Sequence, residues 1–336
     1  MTIGVGLVGL GMAIKPHMLS LRELESAGRV GIVGGFAPSA ARREAFAGQW
    51  KAPVFATQED LLGAHGLDLV LVLTPPGAHL PVAQAAAAAG KHILVEKPVE
   101  VTVARGEALV AAADNAKVRC GVMLQHRFRP AALKLKAALE AGELGQILSA
   151  SASIRWWRGA NYFKQSGRGM KARDGGGVLI TQAIHTLDLL LHLAGPHKDI
   201  AGFAFTSPLR AIDTEDVAAA AIRFRSGAIG ALDATTVAQP GYPERIDIAG
   251  TKGSAVLETF QLTINREGRD TEVAGSAQSG GGGADPMAFD HGPHRAAIVE
   301  VLDAIEQNRE PSNSARSGLH VQRLIEDWLR DAATRS

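Results

Sequence analysis

Ile3-Gly4-Val5-Gly6-Leu7-Val8 carries no polar side chain and runs straight into Gly9-Leu10-Gly11-Met12-Ala13. An unbroken apolar run that stops at a glycine pair reads as a strand buried on both faces, as in parallel sheets. A helical stretch follows to about Ser26. At such a strand-to-helix turn, Gly9 permits the tight bend and Gly11 lets the backbone approach a pyrophosphate at the helix N-terminus. The third position of the fingerprint is Ile14 in place of the usual Gly or Ala, which implies looser helix–sheet packing. A lone glycine pair also serves as a purely structural turn, so the surrounding chain has to decide.

The chain decides by its rhythm. Val30–Phe36, Val54–Phe55, Leu69–Leu73, His92–Val95 and Val118–Met123 read as further strands. Helical stretches separate them: Ser39–Gln49, a stretch from Gln58, Ala78–Ala89 and Val101–Asn115. This alternation predicts right-handed βαβ units and an α/β fold with a parallel sheet of six strands. After Met123 the pattern changes. A helix (Pro130–Ala141), a long strand (Ile147–Trp157), a Gly/Arg/Lys-rich loop and an apolar helix (Val178–Ala194) precede a series of strands. Those strands, Ile200–Phe205, Ala218–Phe224, Ala228–Val237, Arg245–Ile248 and Ala255–Leu257, predict an α+β domain with a mostly antiparallel sheet. Gly275–Asp285 is a Gly/Ser/Ala-rich loop, and two helices, Pro293–Asn308 and Ala315–Ala333, close the chain. The expected domains are 1–123 and 124–336, with room for the last helices to pack back on the first.

The 336 residues suffice for two domains. The formal charge is +1, from 35 basic and 34 acidic residues, so nucleic acid is not the implied partner. The single cysteine, Cys120, precludes an internal disulfide and reads as a buried small hydrophobe. No apolar run reaches the roughly 18 residues of a membrane span. The start reads as a strand and not as a signal peptide, and a cytoplasmic protein is expected. No His/Cys/carboxylate cluster has metal-ligand spacing.

In a parallel sheet, ligands bind outside the carboxyl ends of the strands. Two strands deliver notable residues there. Leu69–Leu73 ends in Thr74-Pro75-Pro76, rigid residues suited to line a cofactor, with His79 opening the next helix. His92–Val95 ends in Glu96-Lys97-Pro98, an acid and an ammonium at the crevice. The second strand ends in Phe36-Ala37-Pro38-Ser39, so Ala37 stands where an Asp or Glu accepts from the ribose hydroxyls of NAD. Without that carboxylate, Ser39, Arg42 and Arg43 are placed to hold a 2′-phosphate. The cofactor expected is NADP(H) in preference to NAD(H).

Val8-Gly9-Leu10-Gly11 with His17, Thr74-Pro75-Pro76-Gly77-Ala78-His79, Glu96-Lys97-Pro98, Arg127-Phe128 and Gly175-Gly176-Gly177-Val178-Leu179-Ile180-Thr181-Gln182-Ala183-Ile184-His185-Thr186-Leu187-Asp188 stand in one order. Together they resemble the glucose–fructose oxidoreductase / inositol dehydrogenase (Gfo/Idh/MocA) family over essentially the whole chain. The resemblance implies a Rossmann domain followed by a domain with a large open sheet. It implies NAD(P)-dependent hydride transfer to or from a sugar, cyclitol or related alcohol/carbonyl pair. It also implies a homodimer or homotetramer paired through that sheet. Lys97 falls on the family's lysine beside the nicotinamide, and His185 on the histidine that acts with it on the substrate hydroxyl. Thr181 stands where relatives often carry Asp, and it cannot act as a carboxylate base.

Lys97 and His185 are therefore assigned jointly to proton transfer. Asp188, three residues after His185, shares its helix face and reads as an orienting residue. Substrate-side candidates are Arg127, Arg158, Tyr162, Lys171, Thr181 and Gln182, whose types suit a polyol or an acidic sugar. His291 and His294 open a C-terminal helix within reach of the site, and capping or surface placement is the favoured reading. Three rivals remain at this point: a reductase of a non-sugar aldehyde or ketone, a nucleotide-sugar dehydrogenase, and a non-catalytic dinucleotide sensor on the same fold.

Overall fold

The computed structural model describes residues 2–164, 168–276 and 290–335. The chain divides into two compact units, Met1–Gln125 with Phe289–Leu319, and His126–Ala288 with His320–Ser336.

The first unit holds a parallel sheet of β1 (Ile3–Val8), β2 (Val30–Phe36), β3 (Leu69–Val72), β4 (His92–Val95) and β5 (Cys120–Val122). The spatial order is β2-β1-β3-β4-β5. The crossovers carry α1 (Ile14–Ser26), α2 (Ala40–Trp50), α3 (Gln58–Leu62), α4 (His79–Ala88) and α5 (Val103–Asn115). Every residue of β1 and β3 is buried, which is why these strands are apolar without alternation. The chain leaves β1 toward β2 on one side and reaches β3 on the other, so the topological switch point lies at the β1/β3 carboxyl ends.

One expected strand is absent. Val54–Phe55 makes only an isolated bridge from Val54 to Gly35. It follows Pro53, which has no N–H to give a ladder, and two residues cannot extend the pairing. The sheet has five strands, not six, and Glu96-Lys97 follows the fourth.

The second unit begins with α6 (Pro130–Glu140). Its sheet comprises β6 (Ile147–Arg155), β7 (His197–Phe205), β8 (Val217–Phe224), β9 (Ile229–Thr235), β10 (Arg245–Gly250), β11 (Gly253–Glu258), β12 (Gln261–Arg266) and β13 (Glu272–Gly275). The order is β13-β12-β11-β10-β6-β9-β8-β7, antiparallel except for the β6–β9 pair. Short helices α7 (Ala160–Phe163) and α8 (Lys171–Asp174) follow β6, and a π-helical turn, Leu179–Ala183, leads into α9 (Ile184–Ala194). Helices α6 and α9 pack on one sheet face, where Ala150, Ala152 and Ile154 are buried. The opposite face carries Ser149, Ser151 and Ser153, with Phe203 and Phe205 exposed at its β7 end.

Strands β12 and β13 extend the sheet beyond the expected set, and the helix read from Val178 opens with a π turn. Residues 277–285 of the Gly/Ser/Ala-rich loop lie outside the described residues. Helix α10 (Gly292–Glu306) belongs to the first unit, against α1. Helix α11 (Ala315–Ala333) begins in the first unit and passes into the second at His320. Among the described residues, no helix is long and apolar enough to cross a membrane.

Candidate functional site

The glycine turn has the geometry its residues require. Gly9 takes φ +102°, and a Cβ there would lie 2.6 Å from the Leu73 carbonyl carbon, so the turn is pressed against the chain leaving β3. Gly9 N–H donates to the Phe36 carbonyl at 2.8 Å. A Cβ on Gly11 would meet nothing within 4 Å, which leaves open space over the backbone. Helix α1 starts directly after Ala13 with no side-chain cap and no acidic residue in its first turn. Ile14 N–H is turned back on the Gly11 carbonyl at 3.3 Å and Pro16 has none, so Lys15 N–H and the helix dipole are what this turn offers an anion. Met12 is exposed at the turn, whereas Leu10 is buried against Gly35. The turn thus fits a dinucleotide pyrophosphate.

At the end of β2, Ala37 is buried. The Ser39 hydroxyl caps α2 by accepting from Arg42 N–H at 3.4 Å. The Arg43 guanidinium closes the same turn on the carbonyls of Ala37 (2.7 Å) and Pro38 (3.0 Å). Of the residues expected to meet a 2′-phosphate, the exposed Arg42 is the one whose guanidinium is not used in building the turn.

Thr74, Pro75 and Pro76 follow β3, and the Thr74 hydroxyl oxygen is buried with no hydrogen-bond partner among the described residues. That is a second feature that fits a bound group. His79 is a correction to its cofactor-side reading. It is fully buried, with Nε2 2.9 Å from the Thr74 carbonyl and Nδ1 3.0 Å from the Pro98 carbonyl, and as a neutral ring it donates its one N–H to one of the two. It ties the β3 and β4 exits together, and burial holds its pKa below the ordinary value.

Glu96 likewise works on its own backbone. One oxygen lies 2.6 Å from His17 Nε2, and the other accepts Lys97 N–H at 3.0 Å. Burial pushes this carboxyl up, but the His17 bond and the charges of His17, His294 and Lys97 outweigh it and hold it at about 2. Glu96 is therefore a carboxylate that fixes the chain carrying Lys97. His294 is a further correction. It is buried, not a surface or capping residue, and its ring meets His17 edge-on with centroids 5.6 Å apart. His291, by contrast, bonds Glu23 near the surface. Cys120 is half-buried, and desolvation, with the Asp114 charge, pushes its thiol up to about 12.

In the second unit, His185 opens α9 just after the π turn and is partly exposed. Such turns insert one residue into the helical repeat and recur at functional sites. Thr181 lies within the turn, where its hydroxyl donates to the Gly177 carbonyl at 2.6 Å. The Gln182 carboxamide adjoins Thr181 and donates to the Tyr162 hydroxyl at 3.0 Å. The Tyr162 ring is flanked by the guanidinium groups of Arg158 (5.7 Å) and Arg168 (5.2 Å). Arg158 is itself buried against the Trp156 ring, and burial lowers its pKa. Tyr162, Thr181 and Gln182 line a cavity of about 20 Å³, room for one water molecule. Lys171 is exposed at the start of α8.

Arg127 corrects the substrate-side set. It is buried in a two-pronged pair with Asp188, Nε to Oδ2 at 2.7 Å and NH2 to Oδ1 at 2.5 Å. The Asp188 carboxylate is engaged by Arg127, and the pair anchors the chain before α6 to α9.

The sequence reading missed Glu215. Its carboxylate accepts the N–H groups of Gly177 (3.0 Å) and Leu179 (3.1 Å), and its carbonyl accepts Val178 N–H at 2.8 Å. Burial raises its pKa against the pull of those N–H groups and of Lys171. A Cβ on Gly177 would lie 1.9 Å from the Glu215 carbonyl oxygen. Gly177→Ala is therefore expected to cost about 3 kcal/mol by displacing the clamp. Urea denaturation checks it, and a loss below about 0.5 kcal/mol would show that the clamp yields freely.

Fold and turn define a dinucleotide-binding oxidoreductase of the Rossmann class. The family model described as "Oxidoreductase family, NAD-binding Rossmann fold" matches residues 3–124, and the "GFO/IDH/MocA C-terminal domain" model matches residues 132–256. The chain belongs to the Gfo/Idh/MocA family of oxidoreductases. It is 26% identical to inositol 2-dehydrogenase of Rhizobium meliloti, covering 99% of this chain and 98% of that protein. It is 28% identical to levoglucosan dehydrogenase of Pseudarthrobacter phenanthrenivorans, covering 80% of this chain and 78% of that protein. The structure of the WlbA dehydrogenase of Bordetella pertussis, in complex with NADH and UDP-GlcNAcA, superposes with a TM-score of 0.84 at 27% identity, covering 100% of this chain and 98% of that one.

Proposed function

We propose that the protein oxidises a secondary alcohol of a sugar, cyclitol or related polyol, or reduces the matching carbonyl, with NADP(H) preferred to NAD(H). The observation that carries this reading is the open, uncapped glycine turn at the sheet's switch point, in the same crevice-edge array that delivers Lys97 after β4. Gly9, Leu10, Gly11, Met12 and Ala13 hold the pyrophosphate, through the backbone of the turn and the dipole of α1. Thr74, Pro75 and Pro76 line the nicotinamide half. The bound nicotinamide accepts or supplies the hydride. Lys97 and His185 handle the hydroxyl proton: as the C–H bond gives up its electron pair, the O–H proton passes to this pair and the C=O bond forms. Tyr162, Gln182 and Arg158 are proposed to orient the substrate hydroxyls.

The NADP(H) preference rests on the missing carboxylate at Ala37 and on the exposed Arg42. A homodimer or homotetramer is proposed to pair through the eight-stranded sheet, whose small-residue face and exposed Phe203 and Phe205 favour burial. A cytoplasmic location belongs to the same reading.

The test is reduced-nicotinamide absorbance with inositol, levoglucosan, other polyols and uronic acids, each with both dinucleotides. Turnover with NADP⁺ is expected to exceed that with NAD⁺ by about tenfold in kcat/KM, a 1.4 kcal/mol preference. Ala37→Asp is expected to reverse it, because a carboxylate accepts from ribose hydroxyls and repels a 2′-phosphate. Equal efficiency with both dinucleotides would remove the preference. Failure of every alcohol while the dinucleotide binds would remove the catalytic reading.

A further inference from the structure

His126 and His185 lie face to face, with ring centroids 4.8 Å apart and planes tilted by 30°. His126 is buried in the turn before α6, whereas His185 is partly exposed. One face of the exposed imidazole therefore rests on a buried one.

What holds the buried ring is specific. Arg129 NH2 lies 2.6 Å from His126 Nε2. A guanidinium has only donors and stays charged, so Nε2 accepts and carries no proton. His126 is thereby fixed as the neutral tautomer with its proton on Nδ1. Arg129 is itself pinned: NH1 donates to Glu244 at 2.7 Å and to the Thr259 carbonyl at 3.2 Å, and its guanidinium lies 4.7 Å over the Phe260 ring. Both members of the Arg129–Glu244 pair are buried. Arg127 and Asp188, adjacent to His126 in the chain and to His185 on its helix, neutralise each other.

We infer that His126, locked by Arg129 and Glu244, is a positioning residue for His185: an uncharged plate of one tautomer that sets the plane of the imidazole above it. The physical advantage is twofold. A flat, rigid neighbour restricts ring rotation at a group that must meet the substrate hydroxyl in one orientation. A tautomer fixed by a buried guanidinium also cannot compete with His185 for the transferred proton. The inference rests on the reading that His185 handles that proton.

The test uses the full-length enzyme with dinucleotide and the faster of two probe alcohols, inositol or levoglucosan. His126→Phe keeps the plate and loses the acceptor; His126→Gln keeps an acceptor and loses the plate. His126→Gln is expected to lower kcat about tenfold with the dinucleotide KM unchanged, and His126→Phe to stay within about threefold of the unsubstituted enzyme. If His126 merely anchored Arg129, the order would reverse, with Phe the more damaging, and the inference would be overturned. Should either variant fail to fold, nitrogen-15 spectra of the unsubstituted protein at neutral pH still decide. A bare His126 Nε2 is expected, and a proton on it overturns the inference. His185→Asn separates the two levels. Retained turnover there removes the proton-handling reading together with this inference. Lost turnover combined with the reversed Phe/Gln order removes this inference alone.

Discussion

Lys97→Met is expected to lower the rate of hydride transfer by about 10³-fold, within the range for loss of a positioned proton-transfer group. The dinucleotide Kd is expected to change by less than about threefold, because the pyrophosphate site proposed at the glycine turn is made of backbone groups. The chain around Lys97 explains why the loss should be specific. Glu96 N–H continues the sheet ladder to the Val72 carbonyl at 2.9 Å, and Glu96 in turn holds Lys97 N–H. The backbone is thus set by groups that the substitution leaves in place. Methionine approximates the lysine stem in size and lacks only the ammonium, so the fold should persist. Single-turnover absorbance measures the step, and quenching of protein fluorescence by reduced dinucleotide measures binding. Hydride transfer within tenfold of the unsubstituted rate would exclude Lys97 from the chemistry.

The first unit is expected to lose about 2 kcal/mol of stability between pH 7 and pH 5 through His294 alone. Burial, reinforced by the charge of His17, depresses His294 from 6.5 to about 3. The folded form therefore keeps it neutral while the unfolded chain takes up a proton below about 6.5. With more protons bound in the unfolded state, stability is full above that pH and falls as the pH drops toward 3. Glu96 adds a second loss of the same sign in a lower window, between 4.5 and about 2, as its carboxylate is protonated. His294→Leu removes the first term. Hydrogen exchange of β1 and β3 amides at pH 7 and pH 5 checks it, with a flattened pH dependence expected in the variant. An unchanged dependence would mean that His294 is not the group responsible.

The histidines mark where sequence reading stopped. His294 has no local signature: it opens a helix behind a proline, as many surface residues do. Its burial depends on α10 reaching α1, where His17 lies 277 residues earlier in the chain. His79 sat at a helix start beside a cofactor loop, and only the paired exits of β3 and β4 show that its ring joins them. Arg127 looked like a substrate cation until Asp188, 61 residues on, occupied it. The third strand failed for a different reason, since two apolar residues after a proline satisfy the local pattern without enough length to pair.

By itself the sequence determined the alternation of apolar strands and helices, the glycine turn, and the arrival of Lys97 just after a strand and of His185 on a helix. These follow from periodicity and from backbone freedom at single glycines, both of which are local. Only the tertiary structure decided what each polar group does. The π turn that carries Thr181 is clamped by Glu215, and the plate beneath His185 is fixed by Arg129 and Glu244. A buried charge must find its partner wherever the fold brings one, and that pairing is indifferent to separation along the chain.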